Sequence, residues 1–138
     1  MNKKEIVSNT IDYIEQRLNK SSETGLSLDD IAEKIGYSKF YLNRIFHEII
    51  GATIHQYIVE RRLTEAAKKL VYTNESIFNI AYEAGYQSQQ AFTNAFGTFY
   101  FVTPMDYRLE KKWIPLRTPY TVSQPASYHH ISRLELAA

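Results

Sequence analysis

Cysteine is absent from this 138-residue chain and net charge nearly so, with 16 basic residues against 15 acidic ones leaving a formal +1. Without cysteine there are no disulfides and no thiolate chemistry, and a reducing cytoplasm is a compatible setting. Long apolar runs are missing too. No stretch of about 18 apolar residues offers a membrane-spanning helix. The N-terminal MNKKEIVSNTIDYIEQ turns charged and amphipathic where a secretory signal needs an apolar segment. No membrane partner and a cytoplasmic location are therefore expected. Catalytic signatures are as scarce. A nucleophile would have to be Ser or Thr served by a His base, yet His47, His55, His129 and His130 stand in no catalytic motif. His47, Glu48 and His55 lack the spacing of a metal site, and neither a phosphate loop nor a dinucleotide fingerprint occurs. The sequence points away from an enzyme, and no catalytic residue, metal or cofactor is expected.

What is present is helical patterning, with 44% apolar and 14% aromatic residues to supply a core. The pattern is clearest in GYSKFYLNRIF, Gly36 to Phe46. Gly36 suits the left-handed turn that ends one helix, and Ser38 suits the N-cap of the next. From there Leu42, Ile45, Phe46 and Ile49 share one side at helical spacing, while Phe40, Asn43, Arg44 and His47 share the other. An aromatic, an amide, a guanidinium and an imidazole on one face suit the reading of base edges. An ordinary amphipathic helix with a solvated face carries the same pattern.

The stretch occurs twice, which shifts that balance. Residues 27–57 read SLDDIAEKIGYSKFYLNRIFHEIIGATIHQY, and residues 76–107 read SIFNIAYEAGYQSQQAFTNAFGTFYFVTPMDY. Ile31-Ala32 recurs as Ile80-Ala81, and Gly36-Tyr37 as Gly85-Tyr86. After a one-residue insertion, Leu42 and Phe46 recur as Phe92 and Phe96, then Thr53 and Tyr57 as Thr103 and Tyr107. Two copies are too few for a solenoid, which needs roughly three. A pair of helix-turn-helix units accounts for them, imitating a dimer on two half-sites.

Taken in order, the chain predicts a first helix from about Lys3 to Leu18 with Ile6, Ile11, Ile14 and Leu18 inward, then a polar loop at Ser21 to Gly25. Ser27 starts a second helix, with Asp30 forming a weak capping box, and a third runs from about Ser38 to Ile50 and stops at Gly51. Thr53 caps a long fourth helix to about Leu70. Its Ile54, Tyr57 and Ile58 serve the first unit, and Leu63, Ala66, Ala67 and Leu70 the second. At roughly 1.5 Å per residue it is a strut of about 27 Å, near the roughly 34 Å between successive major-groove faces. Ser76, Ser88, and Thr103 with Pro104 start three further helices. Past Trp113 the pattern fails at Pro115, Pro119 and Pro125, predicting an irregular tail, with YTVSQ and HHISRLEL as alternative strands of a partial accessory domain.

The double helix-turn-helix with these spacings resembles the AraC/XylS transcription-factor family, in particular its MarA/SoxS/Rob-like members. GYSKFYLNRIF looks like the first recognition segment of that group, SQQAFTNAF (Ser88 to Phe96) like the second, and VTPMDYR (Val102 to Arg108) like the family's signature ending. The resemblance covers roughly residues 3 to 112. It implies an all-α fold of seven helices: a first subdomain at 1–51, a connecting helix at 52–72, a second subdomain at 73–112, and a C-terminal tail at 113–138. It also implies a sequence-specific regulator of double-stranded DNA, an activator of stress, efflux or drug-resistance genes that touches RNA polymerase and binds as a monomer. Many family members carry a large N-terminal ligand and dimerisation domain; without one, the resemblance implies activity set by abundance.

Base contacts are expected from Phe40, Asn43 and Arg44 in the first unit and from Gln89, Gln90, Thr93 and Asn94 in the second. Arginine donates twice to guanine, an asparagine amide pairs with adenine, and Phe40 offers apolar contact to thymine methyls. These first-unit positions match those the family uses, although Trp, Gln and Arg are its usual residues there. Phe for Trp loses a donor and Asn for Gln shortens the reach, so a different preferred sequence is expected. Gln89 and Gln90 match the family's pair, whereas Asn94 and Gly97 stand where Arg and Lys are usual. Phosphate contacts are expected from Ser38, Lys39, Arg61, Arg62 and Ser88, with Lys68 and Lys69 as further candidates. Leu42, Ile45, Phe46, Phe92, Phe96 and Tyr107 are expected in the core.

Phosphate contacts dominate nucleic-acid affinity, so a net charge of +1 weighs against that partner and distribution has to decide. Acids sit on the outer helices at Asp12, Glu15, Asp29, Asp30 and Glu33. No acid lies between Gly36 and His47, but no charged residue of either sign occurs from Ala84 through Met105. Modest affinity, resting partly on neutral donors and helix N-termini, is expected. Two other functions fit the same residues: a helical protein-interaction module that does not read DNA, and a DNA-binding domain with a partial effector-binding extension.

Overall fold

The computed structural model describes residues 1–18 and 26–120, which form seven helices and no strand. They are α1 (Lys3–Arg17), α2 (Leu28–Ile35), α3 (Lys39–Ile50), α4 (Ile54–Tyr72), α5 (Ile77–Glu83), α6 (Gln89–Tyr100) and α7 (Pro104–Glu110). Each is started by a short polar side chain that accepts a hydrogen bond from an otherwise unpaired N–H of the first turn. Ser27, Ser38, Thr53, Ser76, Ser88 and Thr103 all serve as their spacing predicts, and Asn2 does the same for α1. At α4 the cap is reciprocal: the Thr53 hydroxyl accepts from Gln56 N–H at 3.1 Å, and the Gln56 side chain accepts from Thr53 N–H at 2.9 Å.

Two apolar cores form, one at each end of α4. The first joins Ile6, Ile11, Ile14 and Leu18 to Ile31, Leu42, Ile45 and Phe46, closed by Ile54, Tyr57 and Ile58 of α4. Phe46 meets Tyr57 edge-on at 5.5 Å. The second sets Leu63, Ala66, Ala67 and Leu70 against Ile80, Phe92, Phe96, Tyr100 and Tyr107. Phe96 stacks on Tyr100 at 4.6 Å and meets Tyr107 edge-on at 5.4 Å. The change of partner along α4 is therefore real, and the helix runs two residues past Leu70 to Tyr72. Arg108, from the far end of the second unit, takes up a carbonyl of the last turn of α4 and one of the connection that follows: Nε donates to Leu70 C=O at 2.9 Å, and Nη2 to Glu75 C=O at 2.6 Å.

The segment after α7 is irregular as expected, and its described part is packed onto the fold. Residues 113–120 lie along α4 as a strap between the two cores. Leu116 is buried in the second core and Tyr120 in the first. Trp113 Nε1 donates to Thr64 C=O at 3.2 Å, Arg117 N–H to Thr64 Oγ1 at 2.8 Å, and Tyr120 N–H to the Tyr57 hydroxyl at 3.4 Å. Arg117 is only 1% exposed, pairing with Glu60 at 3.2 Å and lying over the Tyr57 ring at 5.5 Å. Prolines rule out a helix here, so the strap satisfies its backbone through α4 side chains and carbonyls. The polar loop expected at Ser21 to Gly25 lies outside the described residues, as do the alternative strands in YTVSQ (save Tyr120) and HHISRLEL.

Candidate nucleic-acid interface

Both helix-turn-helix units are built on the same bonds. In the first, Gly36 adopts φ 93° at the end of α2, and Tyr37 N–H reaches back to Ala32 C=O at 3.3 Å. In the second, Gly85 adopts φ 90°, and Tyr86 N–H reaches Ala81 C=O at 3.1 Å. A side chain at either left-handed position would be strained. The one-residue insertion falls between Gly85 and Ser88, in the turn, so α3 and α6 remain in phase with their repeats. Ser38 accepts from Tyr41 N–H at 3.2 Å and Ser88 from Ala91 N–H at 3.1 Å. Each starts a twelve-residue helix from an exposed cap residue.

On α3, burial of Leu42, Ile45, Phe46 and Ile50 turns the opposite face outward. Phe40 is 79% exposed, an unusual position for phenylalanine without a partner, and Arg44 and His47 are exposed beside it. The Arg44 guanidinium lies 5.4 Å from the Tyr41 ring, which restrains it while leaving its donors outward. With Asn43 these side chains line an open groove of about 610 Å³ between Asp29 and Glu48. Asn43 is half-buried, and its Oδ1 accepts from Ile54 N–H at 3.0 Å. Lys39 pairs with Asp29 at 3.0 Å; both are well exposed, so the pair is weak and exchangeable for a phosphate.

On α6 the exposed face carries Gln89, Gln90 and Asn94, with Thr93 half-buried and no charge anywhere on the helix. Gln90 Nε2 donates to Asn94 Oδ1 at 3.0 Å, one helical turn apart. That bond orients both amides and leaves Gln90 Oε1 as an acceptor and Asn94 Nδ2 as a donor.

Of the phosphate candidates on α4, the structure corrects the two arginines. Arg61 is only 3% exposed: Nε and Nη2 donate to Glu15 at 2.9 Å each, while Nη1 donates to Glu65 at 3.2 Å and Arg117 C=O at 2.9 Å. Burial pulls its pKa down, but the Glu15 hydrogen bond and the Glu15 and Glu65 charges outweigh that and raise it. Every donor edge is engaged inward, and no phosphate reaches it. Arg62 is half-buried, with Nε and Nη2 shielded and unpaired among the described residues, and burial lowers its pKa. That edge of its guanidinium is withdrawn as well. Sequence periodicity saw two adjacent arginines and could not tell that Glu15, on another helix, would claim the first. Of the two lysines, Lys69 pairs with Glu83 at 2.8 Å, and Lys68 stays exposed with its ammonium 5.4 Å from the Trp113 ring. Sequence reading also missed Arg117, whose Pro-flanked segment has no period to place it.

A helix-turn-helix domain family model matches residues 31–110, spanning α2 to α7. The chain is 39% identical over 103 residues to the multiple antibiotic resistance protein MarA of Escherichia coli K12, covering 75% of this chain and 78% of that protein. It belongs to the AraC/XylS family. The HTH-type transcriptional activator AarP of Providencia stuartii is 40% identical over 104 residues, 75% of this chain and 74% of that one. The fold agrees: an AraC-type DNA-binding regulator from Chromobacterium violaceum superposes with a TM-score of 0.65 at 28% identity, over 75% of this chain and 92% of the other. As an AraC/XylS protein this chain is a DNA-binding transcription regulator and not an enzyme, and its partner is double-stranded DNA. Among the described residues no helix is long and apolar enough to cross a membrane.

Proposed function

We propose that this protein is a transcriptional activator that binds an asymmetric duplex site as a monomer, with α3 in one major-groove segment and α6 in the next. The observation that carries the reading is the pair of matched helix starts, each capped by an exposed serine and each backed by its own core, joined by one continuous helix. The nineteen residues of α4 give about 28 Å at 1.5 Å per residue. A duplex repeats its major groove every roughly 34 Å, so binding both readers bends the site. In this reading residues 1–51 and 73–112 are the two reading subdomains and 52–72 the connector. Phe40, Asn43 and Arg44 meet bases from α3, and Gln89, Gln90, Thr93 and Asn94 from α6. Ser38, Lys39 and Ser88 approach phosphates at the helix starts. The likeness to MarA, a multiple antibiotic resistance protein, and to AarP, a transcriptional activator, supports target genes in drug resistance and activation of transcription, and activation calls for contact with RNA polymerase.

Selection of bound duplexes from a random pool, followed by a salt titration of the winner, tests it. Two elements about one turn apart are expected, with a salt slope small for so large an interface because few phosphates are neutralised. Recovery of one element alone would reassign α6 to support or protein contact. The outward Phe78 and Tyr82 on α5, each 61% exposed and one turn apart, suit such a contact. No enrichment at low salt would sink the reading.

A further inference from the structure

We propose that Asn43 is a donor-only reader that favours guanine over adenine at its base position, because its acceptor oxygen already serves as a cap on α4. The inference rests on α3 being the first reader. An asparagine amide recognises adenine with two bonds, its oxygen accepting from N6 and its nitrogen donating to N7. Here the oxygen is turned toward α4, with one of its two lone pairs committed there. Ile54 N–H donates to Asn43 Oδ1 at 3.0 Å, and Ile54, only 1% exposed, is the first residue of α4.

The capping box at this terminus satisfies Gln56 N–H and Thr53 N–H, so Asn43 serves a third donor that the box does not reach. Turning the amide over would set its NH₂ against the Ile54 N–H, two donors facing each other. Swinging the oxygen away would leave a buried N–H without a partner. The oxygen therefore stays inward, and Nδ2 with its two hydrogens is the atom left for the groove.

A group that only donates is matched by an edge that only accepts. Guanine offers two acceptors, N7 and O6. Adenine places its N6 donor beside N7, and cytosine presents a donor. Guanine is accordingly preferred, thymine O4 is the next match, and the expectation of an adenine contact from the residue type alone is reversed. The same bond ties the reading helix to the strut, so recognition at this position and the register of α4 share one side chain.

Duplex selection with the full chain, run in parallel for the wild type, Asn43→Asp and Asn43→Ala, tests this, with thermal melts as a control. Aspartate keeps an oxygen for Ile54 N–H and suits a helix N-terminus, but it has no donor and accepts from cytosine N4. The expected result is one wild-type position enriched in guanine that loses roughly tenfold preference in Asn43→Asp, moving toward cytosine, while other positions and the melting temperature hold. Asn43→Ala should lose the same preference and melt lower. Adenine at the position that responds to Asn43, or no responding position in sites otherwise recovered, overturns the proposal while leaving the two-reader function intact. Failure of the wild type to enrich any duplex removes both.

Discussion

Arg44 on α3 and Arg61 on α4 are both helical arginines, and their surroundings give them opposite work. Arg44 is exposed, rests on Tyr41 and has its donors outward. Replacing it with alanine should relax base preference within one element of the site by about 1–3 kcal/mol and leave the melting temperature unchanged, as a competition assay and a melt of the same sample would show. Arg61 is enclosed by Glu15, Glu65 and the Arg117 carbonyl. Arg61→Ala leaves those carboxylates facing each other. Because Glu15 and Glu65 keep about a quarter of their surface in solvent, the cost should be about 2–3 kcal/mol, below that of a fully enclosed pair. Urea denaturation measures it. Lysine should not rescue it, since the paired Nε and Nη2 contacts to Glu15 need a planar fork. Nothing in the local sequence separates the two arginines; a carboxylate brought from 46 residues away does.

The strap along α4 is the element whose importance the sequence hid. It has no period, and its prolines read as a break, yet it connects both cores and covers the middle of the connecting helix. Leu116 is 1% exposed within the second core. Leu116→Ala should cost about 2–4 kcal/mol, seen as a lower urea midpoint, where a loose tail would give no change. The helices themselves were legible because each carries its own start signal and its own apolar period. The capping serines and threonines and the Gly36 turn act within a few residues, and the double occurrence of the unit made each reading check the other.

For the whole molecule, net charge is close to zero and several tyrosines lie inside. Burial raises the pKa of Tyr57, Tyr86, Tyr100 and Tyr107 above the ordinary phenol value, helped at Tyr57 by the Glu15 charge and at Tyr100 by Tyr107. A raised folded-state pKa means the unfolded chain loses these protons first. The stability they supply is complete below about pH 10, where free tyrosine begins to ionise, and is lost as pH rises beyond it. Alkaline unfolding with its onset above about pH 10 is expected, with loss of helical circular dichroism coinciding with tyrosinate absorbance. Titration of these tyrosines while the helices remain intact would contradict their burial.

By itself the sequence determined the seven helices, the caps of all but the first, the inward stripes and the outward faces of α3 and α6, because all of these depend on residues within one or two turns of each other; the twofold repeat was legible because one copy can be laid on the other. Only the tertiary structure decided that Arg61 is sealed by Glu15, that Asn43 caps α4 with the oxygen it would have offered to adenine, and that residues 113–120 bind both cores together. Each of those facts is a contact between side chains or backbone groups far apart in the chain. A buried donor takes the nearest acceptor that the fold brings to it, and local periodicity carries no record of which one that is.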